Sequence, residues 1–216
     1  MDLLETLLTK KHRLLLAVLV SLLAGFGLLT LLVSTLPVSF IDLHFSHEIQ
    51  EQRAAALDSL MRLVSWPGNA PYSVAMVLLV AGAFYMLRYR KEALFTLFTL
   101  LSGLVSWSLK ILINRPRPTQ DLVLIIEKAR YQSFPSGHTL FYTVFFGFLI
   151  LAMGNLRSLP SAVRISVSLF SALMIFLVGI SRVYLGAHWL TDVLGGFMLG
   201  LVCLFALGHF YFRSKL

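Results

Sequence analysis

Cysteine is nearly absent: Cys203 is the one cysteine in 216 residues, so no disulfide framework can staple this chain. Charge is scarce too. Asp, Glu, Lys and Arg make up 13% of the residues, against about 25% in a soluble domain, too little to dress a water-facing surface. Fourteen glycines and seven prolines are too few for a collagen-like chain, and no internal repeat or low-complexity stretch is visible. What the chain has in abundance is apolar: 58% of its residues, with a mean hydropathy of +0.83. Six spans of about 20 residues would use more than half of it. The chain reads as a multi-pass membrane protein.

Acidic residues are the rarer sign, 10 against 18 Lys and Arg. In a soluble protein that excess would point to nucleic acid. In a membrane protein it points to the positive-inside bias of loops, and no nucleic-acid partner is expected. The spans read as Leu14–Leu36, Tyr72–Leu87, Ala93 to about Leu109, Leu140–Gly154, Val163–Ile180 and about Trp189–Phe212. The first follows Lys10, Lys11, His12 and Arg13, exceeds the apolar core of a signal peptide and lacks a small-x-small cleavage site, so it reads as an uncleaved anchor. Ser39–Ser65 carries Phe45, Ile49, Leu57, Leu60 and Val64 near helical spacing among charged residues, the pattern of an amphipathic helix lying at the interface. The breaker cluster Trp66–Pro71 ends it. The expected fold is therefore all-α: a six-helix transmembrane bundle with an amphipathic interfacial helix after the first span, one integral-membrane domain over 1–216.

Loop charges set the expected orientation. With the N-terminus in the cytoplasm, the inner segments hold Lys10, Lys11, Arg13, Arg88, Arg90, Lys91, Arg157, Arg164, Arg213 and Lys215. The longer outer segments hold Arg53, Arg62, Lys110, Arg115, Arg117, Lys128, Arg130 and Arg182. The density asymmetry favours both termini inside. Basic residues on the disfavoured side, concentrated between Lys110 and His138, call for a chemical reason.

Three stretches at the outer ends of spans supply candidates. In Lys110–Pro118, two prolines alternate with Arg115 and Arg117. A rigidly presented guanidinium fork suits phosphate, although basic residues at a helix end also snorkel to the interface. In Phe134-Pro135-Ser136-Gly137-His138-Thr139, Ser136 can cap the following helix. The free amides of Gly137 and His138 would then form an anion site, or simply begin an ordinary capped helix. In Ser181–Asp192, His188 and Asp192 are four residues apart and would share a helix face. An aspartate on one imidazole nitrogen frees the other as base or nucleophile, and the same pair could seal a helix end. Arg182 adds a cation at that level.

Together these stretches resemble the type 2 phosphatidic acid phosphatase superfamily, whose signature K-x6-R-P, P-S-G-H and S-R-x5-H-x3-D is matched without departure. The layout is most similar to the membrane branch around bacterial phosphatidylglycerophosphatase B. The resemblance implies a metal-independent hydrolase that removes phosphate from a membrane lipid phosphate or pyrophosphate, of the phosphatidylglycerophosphate, phosphatidate or undecaprenyl pyrophosphate class, at the extracytoplasmic face of the cell membrane. It implies that His188 attacks phosphorus and forms a phosphohistidine, that Asp192 orients it, and that His138 serves as acid and then base. It further implies that Lys110, Arg117, Ser136, Gly137 and Arg182 bind the phosphate oxygens. No metal, other cofactor or obligatory protein partner is expected; the partners are the bilayer and a phospholipid or polyprenyl phosphate substrate.

An anion or lipid-phosphate transporter is the competing class, since cations in a bundle can line a pathway. Such a protein is expected to show repeated halves or broken helices, and neither is visible in the sequence. His44 and His47, near Asp42 and Glu48, read as an exposed interfacial face in preference to a metal site. Arg115 lies outside the signature and is expected only to steer anionic head groups. Gly195, Gly196 and Gly200 read as a close helix contact.

Overall fold

A computed structural model describes residues 3–214, with side chains for Lys10 and from Arg13 onward; Lys215 and the side chains of Lys11 and His12 lie outside the described residues. The regular structure of the described residues is all helical, without a strand. Its elements are α1 (Leu3–Thr35), α2 (Phe40–Glu51), α3 (Ala55–Ser65), a 3₁₀ turn (Trp66–Gly68), α4 (Ala70–Met86), α5 (Arg90–Phe98), α6 (Leu101–Ile113), α7 (Gly137–Asn155), α8 (Ser161–Tyr184) and α9 (Leu190–Arg213).

Among the described residues, five stretches are each long and apolar enough to cross a membrane: Arg13–Thr35, Arg90–Ile113, Gly137–Asn155, Ser161–Tyr184 and Leu190–Arg213. The expected span at Tyr72–Leu87 is different. Helix α4 has 17 residues, about 25 Å at 1.5 Å per residue, short of the roughly 30 Å apolar core of a bilayer. It qualifies together with α3 and the 3₁₀ turn, from which it bends by 66°, which brings the described residues to as many as six spans. The bend falls at the Trp66–Pro71 breaker cluster.

Two expectations change in detail. The single amphipathic helix over Ser39–Ser65 is two helices, interrupted at Gln52–Ala54. Helix α2 is also no simple interfacial face, because its Asp42 and Ser46 are buried. The span from Ala93 is divided into α5 and α6 at Thr99–Leu100. There the hydroxyls of Thr96, Thr99 and Ser102 bond back to the carbonyls of Glu92, Thr96 and Thr99, and backbone bonds shorten to i+3. Side chains that compete for backbone carbonyls loosen a helix in this way.

Helix α7 is the centre. Thirteen of its nineteen residues are buried, which leaves no polar face, as expected of a helix surrounded by others. Phe141, Tyr142, Phe145, Phe146 and Phe148 interlock with Phe95, Val178 and Tyr211 of neighbouring helices. At the end remote from the signature, Tyr211 donates to Glu92 at 2.7 Å and accepts from Asn155 at 2.9 Å, joining α5, α7 and α9.

The glycine reading of α9 is met. A methyl group at Gly195 would strike the Phe134 ring, and one at Gly200 the Thr143 side chain. At Gly196 it would lie 2.6 Å from the Ser136 carbonyl oxygen, a backbone atom that cannot turn aside. This contact sets the start of α7 against α9. Gly196→Ala is expected to lower stability by about 1–3 kcal/mol, the usual range for overpacking. Gly103→Ala meets open space and is expected to leave stability unchanged or raise it by up to about 1 kcal/mol. Thermal unfolding of both variants in matched detergent checks the pair.

Candidate active site

The three signature stretches meet at one end of the bundle, where α6 stops, α7 and α9 start and α8 ends. Helix α6 terminates at Asn114, whose left-handed backbone (φ +49°) redirects the chain into Arg115-Pro116-Arg117-Pro118. The connection to α7 then folds back over the site. Its Ser133 amide bonds the Arg115 carbonyl at 2.9 Å, and the amides of Ile126 and Glu127 bond the Leu185 carbonyl. Gln50 of α2 ties the same segment down through Leu124, donating to its carbonyl and accepting from its amide.

Within this cover the cations are dressed by carbonyl groups. Lys110 Nζ donates to the carbonyls of Gln132 (2.7 Å) and Ser133 (3.1 Å). Arg117 donates to the carbonyls of Arg130, Tyr131, Gln132 and Ala187. Arg182, 1% exposed, donates from Nη1 to the Ser65 hydroxyl and to Glu127 Oε1 at 2.9 Å, while its buried Nε has no partner.

Ser136 caps α7 as expected: its Oγ accepts from Thr139 N, at a long 3.5 Å, and from Thr139 Oγ1 at 3.0 Å. Its own amide donates to the Asp192 carbonyl at 2.9 Å, locking the second stretch to the third. Gly137 faces Ser106 and Lys110. His138 is half-buried, and its Nε2 is shielded from solvent without a hydrogen-bond partner. It packs so close to the 3₁₀ turn that a methyl group on Gly68 would fall 2.2 Å from its Cδ2.

His188 and Asp192 do meet, but not as neighbours on a helix face. His188 precedes the cap residue Trp189, and Asp192 occupies the third helical position, folding back to accept from the Trp189 amide at 2.9 Å. Its Oδ2 also takes the Ser133 hydroxyl and lies 3.2 Å from His188 Nδ1. On the far side of the ring, Nε2 lies 3.2 Å from Arg117 Nη1. A guanidinium can only donate, so Nε2 carries the lone pair and Nδ1 the proton. The imidazole is therefore held as one tautomer, with its basic nitrogen turned toward the cations.

Arg115 corrects an expectation. It is 2% exposed and meets no head group: Nη1 donates to Asp192 Oδ1 at 2.5 Å and Thr191 Oγ1 at 2.7 Å, Nη2 to Asp42 Oδ2 at 2.7 Å, and Nε to the Pro37 carbonyl at 2.9 Å. Sequence reasoning also passed over Asp42, Ser65, Gly68, Glu127, Ser133 and Thr191. Only Asp42 had a readable signal, since Ser39-x-x-Asp42 forms a capping box. His44 is exposed near Glu48, and His47 meets the Leu122 carbonyl at 2.8 Å, so the two mark the outer side of α2. All eight expected site residues, Lys110, Arg117, Ser136, Gly137, His138, Arg182, His188 and Asp192, lie in this one assembly.

The electrostatics follow from burial among like charges. Arg117 is pushed down to about 10, first by burial and then by Arg182. His188 falls well below its ordinary value, first by burial and then by Arg117, Lys110, Arg182 and Arg115, so the ring is neutral near pH 7.

The sequence profile of the PAP2 superfamily matches residues 91–216. Phosphatidylglycerophosphatase B of Bacillus subtilis (strain 168) is 33% identical over 204 residues, covering 91% of this chain and 96% of that protein. Undecaprenyl-diphosphatase BcrC of the same organism is 28% identical over 164 residues, 74% of this chain and 75% of its own. Among solved structures, the crystal structure of a transmembrane PAP2-type phosphatidylglycerolphosphate phosphatase from Bacillus subtilis aligns with a TM-score of 0.80 at 29% identity, over 91% of this chain and 97% of that one. Aquifex aeolicus LpxE aligns with a TM-score of 0.61 at 22% identity, over 83% of this chain and 99% of that one, and shares the fold.

The lowered pKa of His188 has a consequence for stability. Below the ordinary imidazole value of 6.5 the unfolded chain binds a proton that folded His188 refuses, so stability falls as pH drops through that window. The slope contributed is about 1.4 kcal/mol per pH unit until the folded pKa is reached. His188→Asn, which can still donate to Asp192, removes it. Thermal midpoints between pH 7 and pH 5 are expected to shift progressively in favour of the variant.

Proposed function

The chain belongs to the PAP2 superfamily, and we propose that it is a metal-independent lipid phosphatase that works through a phosphohistidine on His188. The observation that carries this reading is the fixed tautomer of His188: Nδ1 held by Asp192, Nε2 free of its proton and facing Arg117. Nothing so specific is required of a site that only binds an anion.

The roles follow from charge. A phosphomonoester brings up to two negative charges, and its transfer spreads charge over three equatorial oxygens. Lys110, Arg117 and Arg182 neutralise them, with the Ser136 hydroxyl and the Gly137 amide at the start of α7. In the first step His188 Nε2 bonds to phosphorus, the bond to the leaving oxygen breaks, and His138 gives that oxygen a proton. In the second, water attacks phosphorus and surrenders a proton to His138. The P–N bond breaks, its electron pair returns to His188, and inorganic phosphate leaves. His138 is thus ready for the next turnover. Its proton sits beside the substrate's negative charge in a pocket otherwise lined by cations.

The bilayer supplies the substrate. A diacyl or polyprenyl tail stays in hydrocarbon while the head group reaches the cations, avoiding the cost of drawing apolar surface through water. The names of the Bacillus relatives support phosphatidylglycerophosphate and undecaprenyl pyrophosphate as the substrates to try first, with phosphatidate beside them. The loop charges support an integral-membrane domain over the whole chain with both termini in the cytoplasm and the site at the extracytoplasmic face.

Rapid quenching with labelled lipid, under conditions that spare the acid-labile phosphohistidine, tests the sequence of steps. His188→Ala is expected to form no covalent intermediate, and His138→Ala to slow its formation about 10²–10⁴-fold, the usual worth of a positioned proton donor. Arg117→Ala is expected to cost about 10²–10³-fold, as for one lost oxyanion donor. Label retained on folded His188→Ala protein, or activity abolished by a chelator and restored by Mg²⁺, would overturn the reading.

A companion test concerns His138. Gly68→Ala must displace the His138 ring or the turn beneath it. It is expected to lower kcat while leaving KM within about threefold, as when an interaction made only in the transition state is lost. Steady-state kinetics on one lipid substrate would show the split.

A further inference from the structure

We infer that Asp42 and Arg115 are positioning residues for the nucleophile: a buried Asp42–Arg115–Asp192 clamp sets the orientation and charge behind His188. The inference rests on the reading of His188 as nucleophile and extends it to two residues outside the signature.

The clamp is continuous and dry. Both side chains of the Arg115–Asp42 pair and both of the Arg115–Asp192 pair are fully inaccessible. Arg115 cannot touch a phosphate, because every nitrogen of its fork is engaged elsewhere: Nε on the Pro37 carbonyl, Nη1 on Asp192 and Thr191, Nη2 on Asp42. Asp42 is itself fixed at both oxygens, by the amide and hydroxyl of Thr191 and by the hydroxyl of Ser39. The Asp192 carboxylate is therefore gripped from both sides. Oδ1 is held by Arg115, and only Oδ2 is left for the imidazole. A rotation of that carboxylate would break the His188 bond; the Arg115 Nη1 bond on Oδ1 opposes it, together with the Ser133 hydroxyl and the Trp189 amide on Oδ2.

Charge points the same way. Two carboxylates and one guanidinium leave one net negative charge behind Nδ1, opposite the cations that face Nε2. Arg115 lies between the two carboxylates, and Asp42 offsets part of its charge. The groups facing His188 are then Lys110 of α6, His138 of α7, Arg182 of α8, Asp192 of α9, and Arg115 and Arg117 of the connection. Asp42 acts on the ring at one remove. Changing Asp42 or Arg115 alters only the rear of this set.

Helix α2 thereby reaches the reaction centre. Asp42 is its third residue, anchored by the Ser39 capping box. The segment expected to lie on the membrane surface is bonded, through one guanidinium, to the carboxylate that holds the nucleophile.

Single-turnover phosphorylation with labelled phosphatidylglycerophosphate separates positioning from mere support of the fold. The amplitude counts competent sites, and the rate reports His188. With amplitude preserved, Arg115→Gln is expected to slow the rate about 100-fold and Asp42→Asn about 10-fold, the range seen when partners of a liganding side chain are removed. KM is expected to change less than about threefold in each. Arg115→Lys, which keeps the charge and loses the fork, is expected to slow the rate with the acid limb unmoved. The two neutralising substitutions move that limb in opposite directions. Loss of the Arg115 cation raises the pH at which His188 protonates, whereas loss of the Asp42 anion lowers it. Ionisation of the lipid phosphate is common to all variants and cancels in the comparison.

Wild-type rates in folded Asp42→Asn and Arg115→Lys, with the Asp42→Asn limb unmoved, would overturn the inference, as would reduced amplitude at an unchanged rate. If Arg115→Gln does not fold, those two milder variants carry the test. Failure of the underlying reading shows elsewhere, as label retained by His188→Ala.

Discussion

The Asp192 carboxylate is the point on which the remaining geometry depends. It accepts from Arg115, Ser133, His188 and the Trp189 amide, with no exposure to solvent. Ionised carboxylates in an apolar interior persist only when their oxygens are met by donors and their charge by a partner. The donors here come from the α6–α7 connection and from the start of α9, while Arg115 brings in Asp42 and the α1–α2 turn at Pro37. Segments far apart in sequence are thus brought to one place by a single unsolvated charge. Removing one partner would leave the others uncompensated, typically at about 3–5 kcal/mol for a broken buried pair.

The cations are handled differently. Lys110 and Arg117 are met chiefly by carbonyl oxygens, which solvate a charge without cancelling it. Only Arg182 has a carboxylate against it, Glu127, one-quarter exposed on the covering segment. The front of the site therefore keeps its positive field for an incoming anion, while the rear is balanced by ion pairs. Carbonyl groups also release a cation readily, because each bond is neutral to charged and can be replaced by a phosphate oxygen that bonds more strongly.

Much of this was readable in the chain. Apolar runs gave the spans, and the three signature stretches gave the eight residues that the fold gathers at one end of the bundle. The losses have two causes, local hydroxyl competition for backbone carbonyls and charge partners distant in sequence. A span such as Ala93–Leu109 looks continuous by hydropathy, yet Thr96, Thr99 and Ser102 divert backbone carbonyls and open it at Thr99–Leu100. Asp42 looked like one charge among several on an interfacial helix, because its partner Arg115 stands 73 residues away. Arg115 looked like a loose companion of Arg117, since alternation with proline says that a guanidinium is rigid but not which way it points. His188 and Asp192 were rightly paired, but by helical spacing, whereas the contact is a carboxylate folding back over a helix cap. Periodicity reports local order; long-range partners of a charge leave no periodic trace.

The two electrostatic halves explain why a neutral imidazole suits this position. Behind the ring, Asp42, Arg115 and Asp192 sum to one negative charge; in front, Lys110, Arg117 and Arg182 face the basic nitrogen. A proton added to Nε2 would lie against those cations, and burial denies it water, so the ring stays neutral. On the proposed route, phosphorus would arrive surrounded by anionic oxygens that offset the same cations. Bond formation at Nε2 would then move positive charge into the ring just as the frontal repulsion is neutralised, and the negative cluster behind Nδ1 would stabilise that charge. A field fixed before substrate arrives costs no reorganisation at the moment of transfer, which is where electrostatic catalysis gains most. The proposed mechanism thus has one nitrogen that the site bars to a proton and opens to a phosphoryl group.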